Sequence, residues 1–187
     1  PCIVFDNYGD LLFAHLSSPP MGSWIDRIVV QKSTDLGQTW EIHNGIGLVS
    51  GKMQDKEWMI VDNSSSKYRD NIYMSWTQFD KYSSKDSADR SSIRFSASLD
   101  RGHSWSEPIV LSDTSGNCLD DSYTAEGAMP AVGPNGEVYV VWSLNEKLYF
   151  DKSTDGGKTF SKDKLIAHTP GGWNFSIPGL NRCNGLP

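Results

Sequence analysis

The phrase Ser-x-Asp-x-Gly-x-Ser/Thr-Trp/Phe occurs three times in this chain of 187 residues, at residues 33–40, 98–105 and 153–160. The Ser and Asp side chains of such a phrase accept hydrogen bonds from nearby backbone N–H groups and so close a tight turn. Its glycine supplies a positive φ, and its aromatic residue opens the next strand with a large apolar anchor. A turn that recurs predicts an architecture that recurs.

Each turn lies inside a longer unit of strand-like segments. In the third unit, the segment 138–142 follows the dipeptide Asn135-Gly136, which favours a hairpin, and the segment 147–150 leads into the turn. Four antiparallel strands per repeat are typical of one propeller blade. We assign a structural role in the turns to Ser33, Asp35, Gly37, Trp40, Ser98, Asp100, Gly102, Trp105, Ser153, Asp155, Gly157 and Phe160.

The repeated phrase resembles the Asp-box, or BNR repeat, of sialidases and other β-propellers. The resemblance covers nearly the whole chain through the three boxes and the phrases at 55–58, 71–77 and 133–142, which look like a secreted bacterial group of sialidase-like proteins. It implies an all-β fold: a β-propeller segment of three four-stranded antiparallel blades, half of a six-bladed propeller. We expect the blades at residues 1–56, 57–129 and 130–186.

Three blades would leave two apolar blade faces exposed to water. We expect the missing half of the propeller, or else a second copy of the chain, to cover them. The net charge is −6, without a basic stripe, which argues against nucleic acid as a partner. No apolar segment approaches the roughly 20 residues that span a bilayer. From the resemblance we expect a secreted or cell-surface protein.

The cysteine and histidine residues give little support for a bound cofactor. Cys2, Cys118 and Cys183 lack the Cys-x-x-Cys spacing of zinc sites, and the four histidines are scattered. Cys118 and Cys183 form a disulfide or remain free thiols. We expect no required cofactor and no metal cluster, with calcium at the Asp120-Asp121 loop as an alternative, because carboxylate oxygens bind that ion.

In propellers, the loops between blades and between the second and third strands open on one face, opposite the Asp-boxes. On that face the glycan-binding candidates are Trp24, Arg27, Glu57 and Trp173, and the catalytic candidates are Asp121, Glu126 and Arg182. Tryptophans stack on sugar rings, arginines bind carboxylates and paired acids exchange protons. Alternatively, these acids cap turns or hold calcium, and Arg27 and Arg182 pair with Asp26 or Asp55. Trp76 and Trp142 belong to strand interiors.

Three functions remain open. The first is a sialidase-like, glycan-directed propeller that recognises sialosides or hydrolyses them. The second is a non-catalytic lectin, adhesin or protein-interaction propeller, favoured because the Arg-Ile-Pro phrase of sialidases is absent from this chain. The third is another Asp-box glycoside hydrolase that uses two carboxylates, for which Glu57, Asp121 and Glu126 are the local acids.

Overall fold

The structure is a computed structural model that describes residues 1–21 and 24–169. In these residues the chain forms strands and no helix, and the strands make three four-stranded antiparallel sheets, which confirms the predicted fold class. The strands are β1 (Cys2–Phe5), β2 (Leu11–Ser17), β3 (Arg27–Ser33), β4 (Glu41–Ile46), β5 (Met53–Val61), β6 (Ile72–Phe79), β7 (Ser91–Ser98), β8 (Ile109–Val110), β9 (Glu126–Val132), β10 (Val138–Ser143), β11 (Lys147–Ser153) and β12 (Lys164–His168).

Each sheet is built from four consecutive strands in sequence order, so that each is one blade. The first sheet contains β1–β4, the second β5–β8 and the third β9–β12. The first strand of each sheet packs against the sheet before or after it: β5 contacts β1 and β2, and β9 contacts β5 and β6. We call β1, β5 and β9 the inner strands, because the three sheets converge there.

The hydrophobic core lies in two layers between the sheets. Trp76 belongs to the layer between the first and second sheets, together with Leu12 and Ile28. Trp142 belongs to the layer between the second and third sheets, where Phe95 and Val140 also lie. Both tryptophans are at most 1% exposed, in agreement with their predicted place in strand interiors.

The three repeated phrases form turns with the same hydrogen bonds, and we call them the repeat turns. In the second, Ser98 Oγ donates to Asp100 Oδ1 at 2.8 Å, and the Gly102 N–H donates to Ser98 Oγ at 2.8 Å. Asp100 also accepts the N–H of Ser104 at 2.8 Å. The first and third repeat turns have the matching bonds. Each turn is closed by its own side chains.

Gly102 packs tightly against the neighbouring sheet. Its φ is +92°, and a Cβ added there would lie 2.6 Å from Leu12 Cδ2. We expect Gly102→Val to lower the free energy of unfolding by about 1–3 kcal/mol from backbone strain alone, with a further loss from this overlap. Thermal and urea denaturation measure the change.

Gly9 provides the matched control for that substitution. Its φ is +87°, but a Cβ there would meet no atom within 4 Å. Gly9→Val therefore adds backbone strain without overlap, and it should cost less than Gly102→Val. Equal losses in the two variants would contradict the close packing of the second repeat turn on the first sheet.

A buried ionic cluster joins the first sheet to the second repeat turn. Lys32 Nζ lies 3.2 Å from Asp10 Oδ2 and 3.6 Å from Asp6 Oδ2. Arg101 Nη2 donates to Asp6 Oδ2 at 2.6 Å and to Asp10 Oδ2 at 2.7 Å. The Arg101 guanidinium also stacks 3.8 Å from the centre of the Tyr8 ring. Alternating charges thus connect the two blades.

The two end sheets each expose apolar side chains on their outward faces. Ile3 and Phe5 of β1 are more than half exposed, and so is Met129 of β9. The alternate residues of these sheets, such as Leu12 and Val140, are fully buried between the blades. The outward faces are therefore apolar surfaces of the kind that another blade covers.

Candidate functional site

Two inner strands carry a β-bulge at equivalent places. The pairing of β5 with β6 shifts register between Asp55 and Trp58, and Lys56 has a φ of 54°. The pairing of β9 with β10 shifts register after Glu126, where Gly127 has a φ of 71°. In each strand an acid, Asp55 or Glu126, directly precedes the residue with positive φ. Bulges re-aim side chains and occur often beside active sites.

These bulges correct one expectation from the sequence. Glu57 and Glu126 were expected in loops between blades, but Glu57 lies within β5 and Glu126 begins β9. The strands begin earlier than the alternation of apolar residues indicates, because each bulge shifts that alternation by one residue.

The bulged segments lie at one end of the strands, and the repeat turns lie at the opposite end. The repeat turns follow β3, β7 and β11, whereas the bulges lie near the starts of β5 and β9. The connections from β6 to β7 and from β8 to β9 lie at the same end of the strands as the bulges, because neighbouring strands are antiparallel. Side chains from several loops therefore meet there.

We call Asp55, Lys56, Tyr82, Asp120 and Glu126 the acid cluster. Lys56 Nζ contacts Glu126 Oε2 closely and lies 3.6 Å from Asp120 Oδ1. The Tyr82 hydroxyl donates to Asp120 Oδ2 at 2.6 Å, so that Asp120 contacts both Tyr82 and Lys56. Asp55 completes the cluster, since its charge acts on Tyr82. The cluster joins the second and third sheets.

The surroundings of the cluster shift the pKa values of Glu126 and Asp120 in opposite directions. Burial raises the pKa of Glu126 to about 7, and the Asp120 charge adds to this effect while Lys56 opposes it. Burial also acts on Asp120, but the hydrogen bond from Tyr82 and the Lys56 charge hold its pKa below the usual value. The hydrogen bond to Asp120 raises the pKa of Tyr82 to about 12. Of the two acids, Glu126 is therefore the one that keeps its proton to higher pH.

Of the catalytic residues expected from the sequence, the structure places one in the acid cluster and one outside it. Glu126 is in the acid cluster and is 4% exposed. Asp121 instead caps its own turn, where its Oδ1 accepts the Tyr123 N–H at 2.8 Å and Asn117 Nδ2 at 3.0 Å. Its neighbour Asp120 is the residue that joins the cluster. Arg182 lies outside the described residues.

The expected sugar-binding residues do not meet at one point. Arg27 is held by both oxygens of Asp26, at 2.7 and 2.9 Å, as the structural alternative expected. Glu57 is 3% exposed, and its Oε1 lies 3.2 Å from the Pro1 amino group. Trp24 is 45% exposed. Trp173 lies outside the described residues.

Sequence reasoning missed Lys56 and Tyr82 as members of the site. Tyr82 follows β6 in a polar loop, and only the packing of the second sheet on the third brings it to Asp120. The signal that the sequence did carry was the acid-rich phrase at 55–58, which resembled other propellers.

Metal, disulfide and membrane features were searched over the same part of the chain. Among residues 1–21 and 24–169, no three His, Cys, Asp or Glu side chains are grouped so that they could hold a metal ion. Calcium at Asp120 and Asp121 stays a prediction. Cys118 is buried, and its expected partner Cys183 lies outside the described residues. A helix long and apolar enough to cross a membrane is also absent from the described part.

The chain was compared with known proteins. No family model matches it. No curated protein matches it either. Solved structures do match, among them an α-L-arabinofuranosidase from Fusarium graminearum at 18% identity, which covers 87% of this chain and 46% of that one with a TM-score of 0.60.

Two further structures show the same likeness. An α-L-arabinanase from Penicillium chrysogenum, complexed with arabinobiose, is 14% identical, covers 90% of this chain and 49% of that one, and has a TM-score of 0.60. A Trypanosoma rangeli sialidase is 18% identical, covers 89% and 30%, and has a TM-score of 0.58. The chain thus spans about half or less of their length. These likenesses show the fold of three β-propeller blades.

Proposed function

We propose that this chain is part of a glycan-directed propeller enzyme that hydrolyses glycosidic bonds with Glu126 as the general acid. The observation that carries the proposal is the buried carboxyl group of Glu126, which contacts Lys56 Nζ together with Asp120 at the end of the strands opposite the repeat turns. A general acid must still hold its proton near the working pH, and a pKa of about 7 for Glu126 meets that need.

The acid cluster supports hydrolysis rather than binding alone. A lectin needs hydrogen-bonding groups, but it gains nothing from a buried, half-protonated carboxyl group. Cleavage requires a proton for the departing oxygen, and Glu126 holds one while Asp120 remains charged. Solved structures of similar fold include an arabinofuranosidase, an arabinanase and a sialidase, which adds support for a glycan substrate.

The charge of the cluster favours a neutral sugar over a sialoside. Lys56 Nζ is already paired with Asp120 and Glu126, and Asp55 adds a further carboxylate, so that the carboxylate of a sialoside would meet like charges on Asp55 and Asp120. Arginine is the residue that binds such a carboxylate bidentately, and Arg27 is already held by Asp26. We therefore propose a neutral glycan, with sialosides as the alternative.

We also propose that further blades of the same polypeptide complete the propeller. The apolar outward faces at Ile3, Phe5 and Met129 need cover, and similar structures extend about twice as far as this chain. A second copy of the chain is the alternative. Secretion, expected from the resemblance to secreted proteins, belongs to the same proposal.

The test uses the full-length protein with 4-nitrophenyl α-L-arabinofuranoside, other neutral nitrophenyl glycosides and a fluorogenic sialoside. We expect turnover of a neutral glycoside, and a loss of about a hundredfold in kcat in Glu126→Gln. Glu107→Gln, an exposed glutamate outside the cluster, is the control and should keep its activity. Turnover that survives Glu126→Gln would overturn the role of Glu126, and glycan binding without any turnover would favour the lectin.

A further inference from the structure

We propose that Trp58 and Asp55 form one wall of the sugar-binding cleft beside Glu126, with Trp58 as the platform on which a sugar ring stacks. The inference rests on the proposed function, because it gives that site its substrate-positioning residues. Neither residue was a candidate from the sequence, where Trp24 and Trp173 were expected to stack on the sugar.

The bulge places Asp55 and Trp58 on the same face of the second sheet. The two residues are three positions apart along the chain. This odd spacing would put them on opposite faces of a regular strand. Asp55 pairs with Thr77, however, and Trp58 pairs with Ser75. Thr77 and Ser75 are two residues apart on one strand and share a face, so Asp55 and Trp58 share it too.

That face is turned towards the third sheet. Thr77 Oγ1 donates to the carbonyl oxygen of Ala125 at 3.2 Å, and Ser75 Oγ donates to the carbonyl oxygen of Ala128 at 3.0 Å. These two carbonyl groups flank Glu126 along the chain. Asp55 and Trp58 therefore lie on the side of β5 that faces the segment carrying the proton donor.

Trp58 remains exposed although it lies between two sheets. Its side chain is 45% exposed, whereas the other strand tryptophans, Trp76 and Trp142, are at most 1% exposed. An indole ring in an inner strand that packing leaves open is available to the C–H face of a sugar ring. Packing within the blades does not account for this tryptophan.

The opposing strand leaves room for a ligand. Gly127, next to Glu126, is exposed, and a Cβ added there would meet no atom within 4 Å. The backbone next to the proton donor is therefore open to solvent, which leaves room for a ligand beside Glu126.

Asp55 can fix the orientation of a ring that stacks on Trp58. Its Oδ1 accepts the N–H of Lys56 at 2.8 Å, which holds the carboxylate in place at the bulge. The remaining oxygen can accept hydrogen bonds from sugar hydroxyl groups, which are donors. Stacking on Trp58 and hydrogen bonding to Asp55 together would define which face of the sugar meets Glu126.

The experiment compares Trp58→Ala with Leu99→Ala in the full-length protein. Leu99 is 65% exposed and lies in the second repeat turn, at the end of the strands opposite the acid cluster, so it controls for the loss of an exposed apolar side chain. The readouts are KM and kcat for the neutral glycoside and the Kd for arabinobiose. We expect Trp58→Ala to raise KM and Kd about tenfold with kcat changed less than threefold, and Trp58→Phe to recover most of the affinity.

The outcomes separate this inference from the proposed function. Unchanged KM and Kd in Trp58→Ala, or an equal loss in Leu99→Ala, would overturn the stacking role even if Glu126→Gln abolishes turnover. Weakened arabinobiose binding in Trp58→Ala would support the cleft even if Glu126→Gln remains active. A wild-type protein that neither binds arabinobiose nor cleaves a neutral glycoside would overturn the assignment of a neutral-sugar cleft. Asp55→Asn should also raise KM, and an unchanged KM would remove Asp55 from the wall.

Discussion

Asp6→Ala is expected to lower the free energy of unfolding by about 3–5 kcal/mol, because it leaves the buried Lys32 and the partly exposed Arg101 with one carboxylate between them. Asp6 is 6% exposed and contacts both Lys32 and Arg101. Lys32 itself is 2% exposed, so water cannot replace the lost partner. Urea denaturation of the wild type and the variant measures the difference.

Asp62 separates the loss of a turn cap from the loss of a charge. Asp6 accepts the N–H groups of Tyr8 and Asp10 just after β1, and Asp62 accepts the Ser64 N–H at the corresponding place after β5. Asp62→Ala removes the cap alone and should cost about 0.5–2 kcal/mol, as other caps do. A similar loss in both variants would show that the ionic cluster contributes nothing of its own.

The effect of Asp6→Ala should also depend on pH in one direction. Burial opposes ionisation of Asp6, but the hydrogen bonds from Arg101, Tyr8 and Asp10 and the Arg101 charge together outweigh it and hold the pKa below the usual 3.8. The carboxylate therefore stabilises the fold at pH values above 3.8, and this contribution is lost as the pH falls through the lowered pKa. The difference between wild type and variant should shrink in acid. A constant difference down to pH 2 would contradict the ionic origin.

Much of this fold could be predicted because its signals are local. The repeat turns are closed by side chains within eight residues, so Ser98, Asp100 and Gly102 identify their turn without any distant contact. Strands such as β6 and β10 contain continuous or alternating apolar residues that a sequence displays directly. The edge strand β4 gave a weaker signal, because only Glu41 and Ile42 indicated it.

The acid cluster could be predicted only in part, because its contacts are not local. Glu126 stood out as an acid in a polar segment, but Lys56 lies 70 residues away and reaches it through sheet packing. Asp120 and Asp121 are adjacent and chemically identical in sequence. Only the path of the backbone decides that Asp120 turns to Tyr82 while Asp121 caps a turn.

Trp58 shows why strand residues near a bulge are misjudged. A regular alternation would have put Asp55 and Trp58 on opposite faces, and no sequence pattern marks Lys56 as the residue with positive φ. The positive φ of Lys56 is an unfavourable backbone conformation for a residue with a side chain. Such conformations persist where surrounding contacts hold them, often at functional sites. The contact of Lys56 Nζ with Glu126 is a contact of this kind.

The final prediction concerns the proton that Glu126 holds. Its pKa is raised from 4.5 to about 7 in the folded protein, so the folded state binds more protons than the unfolded state between these values. The free energy of unfolding should therefore fall as the pH rises from 4.5 to 7, by up to about 3 kcal/mol from this group. In Glu126→Gln, which cannot titrate, this part of the pH dependence should disappear.

Two further variants assign that slope to its cause. Asp163→Asn removes another acid with a raised pKa, about 6, which lies beside Asp113 and outside the acid cluster, so the Glu126 slope should persist in it. Lys56→Met removes the cation that opposes protonation, so the upper end of the slope should move to higher pH. If Glu126→Gln unfolds with the wild-type pH dependence between 5 and 7, Glu126 does not retain its proton, and the general acid must be another residue.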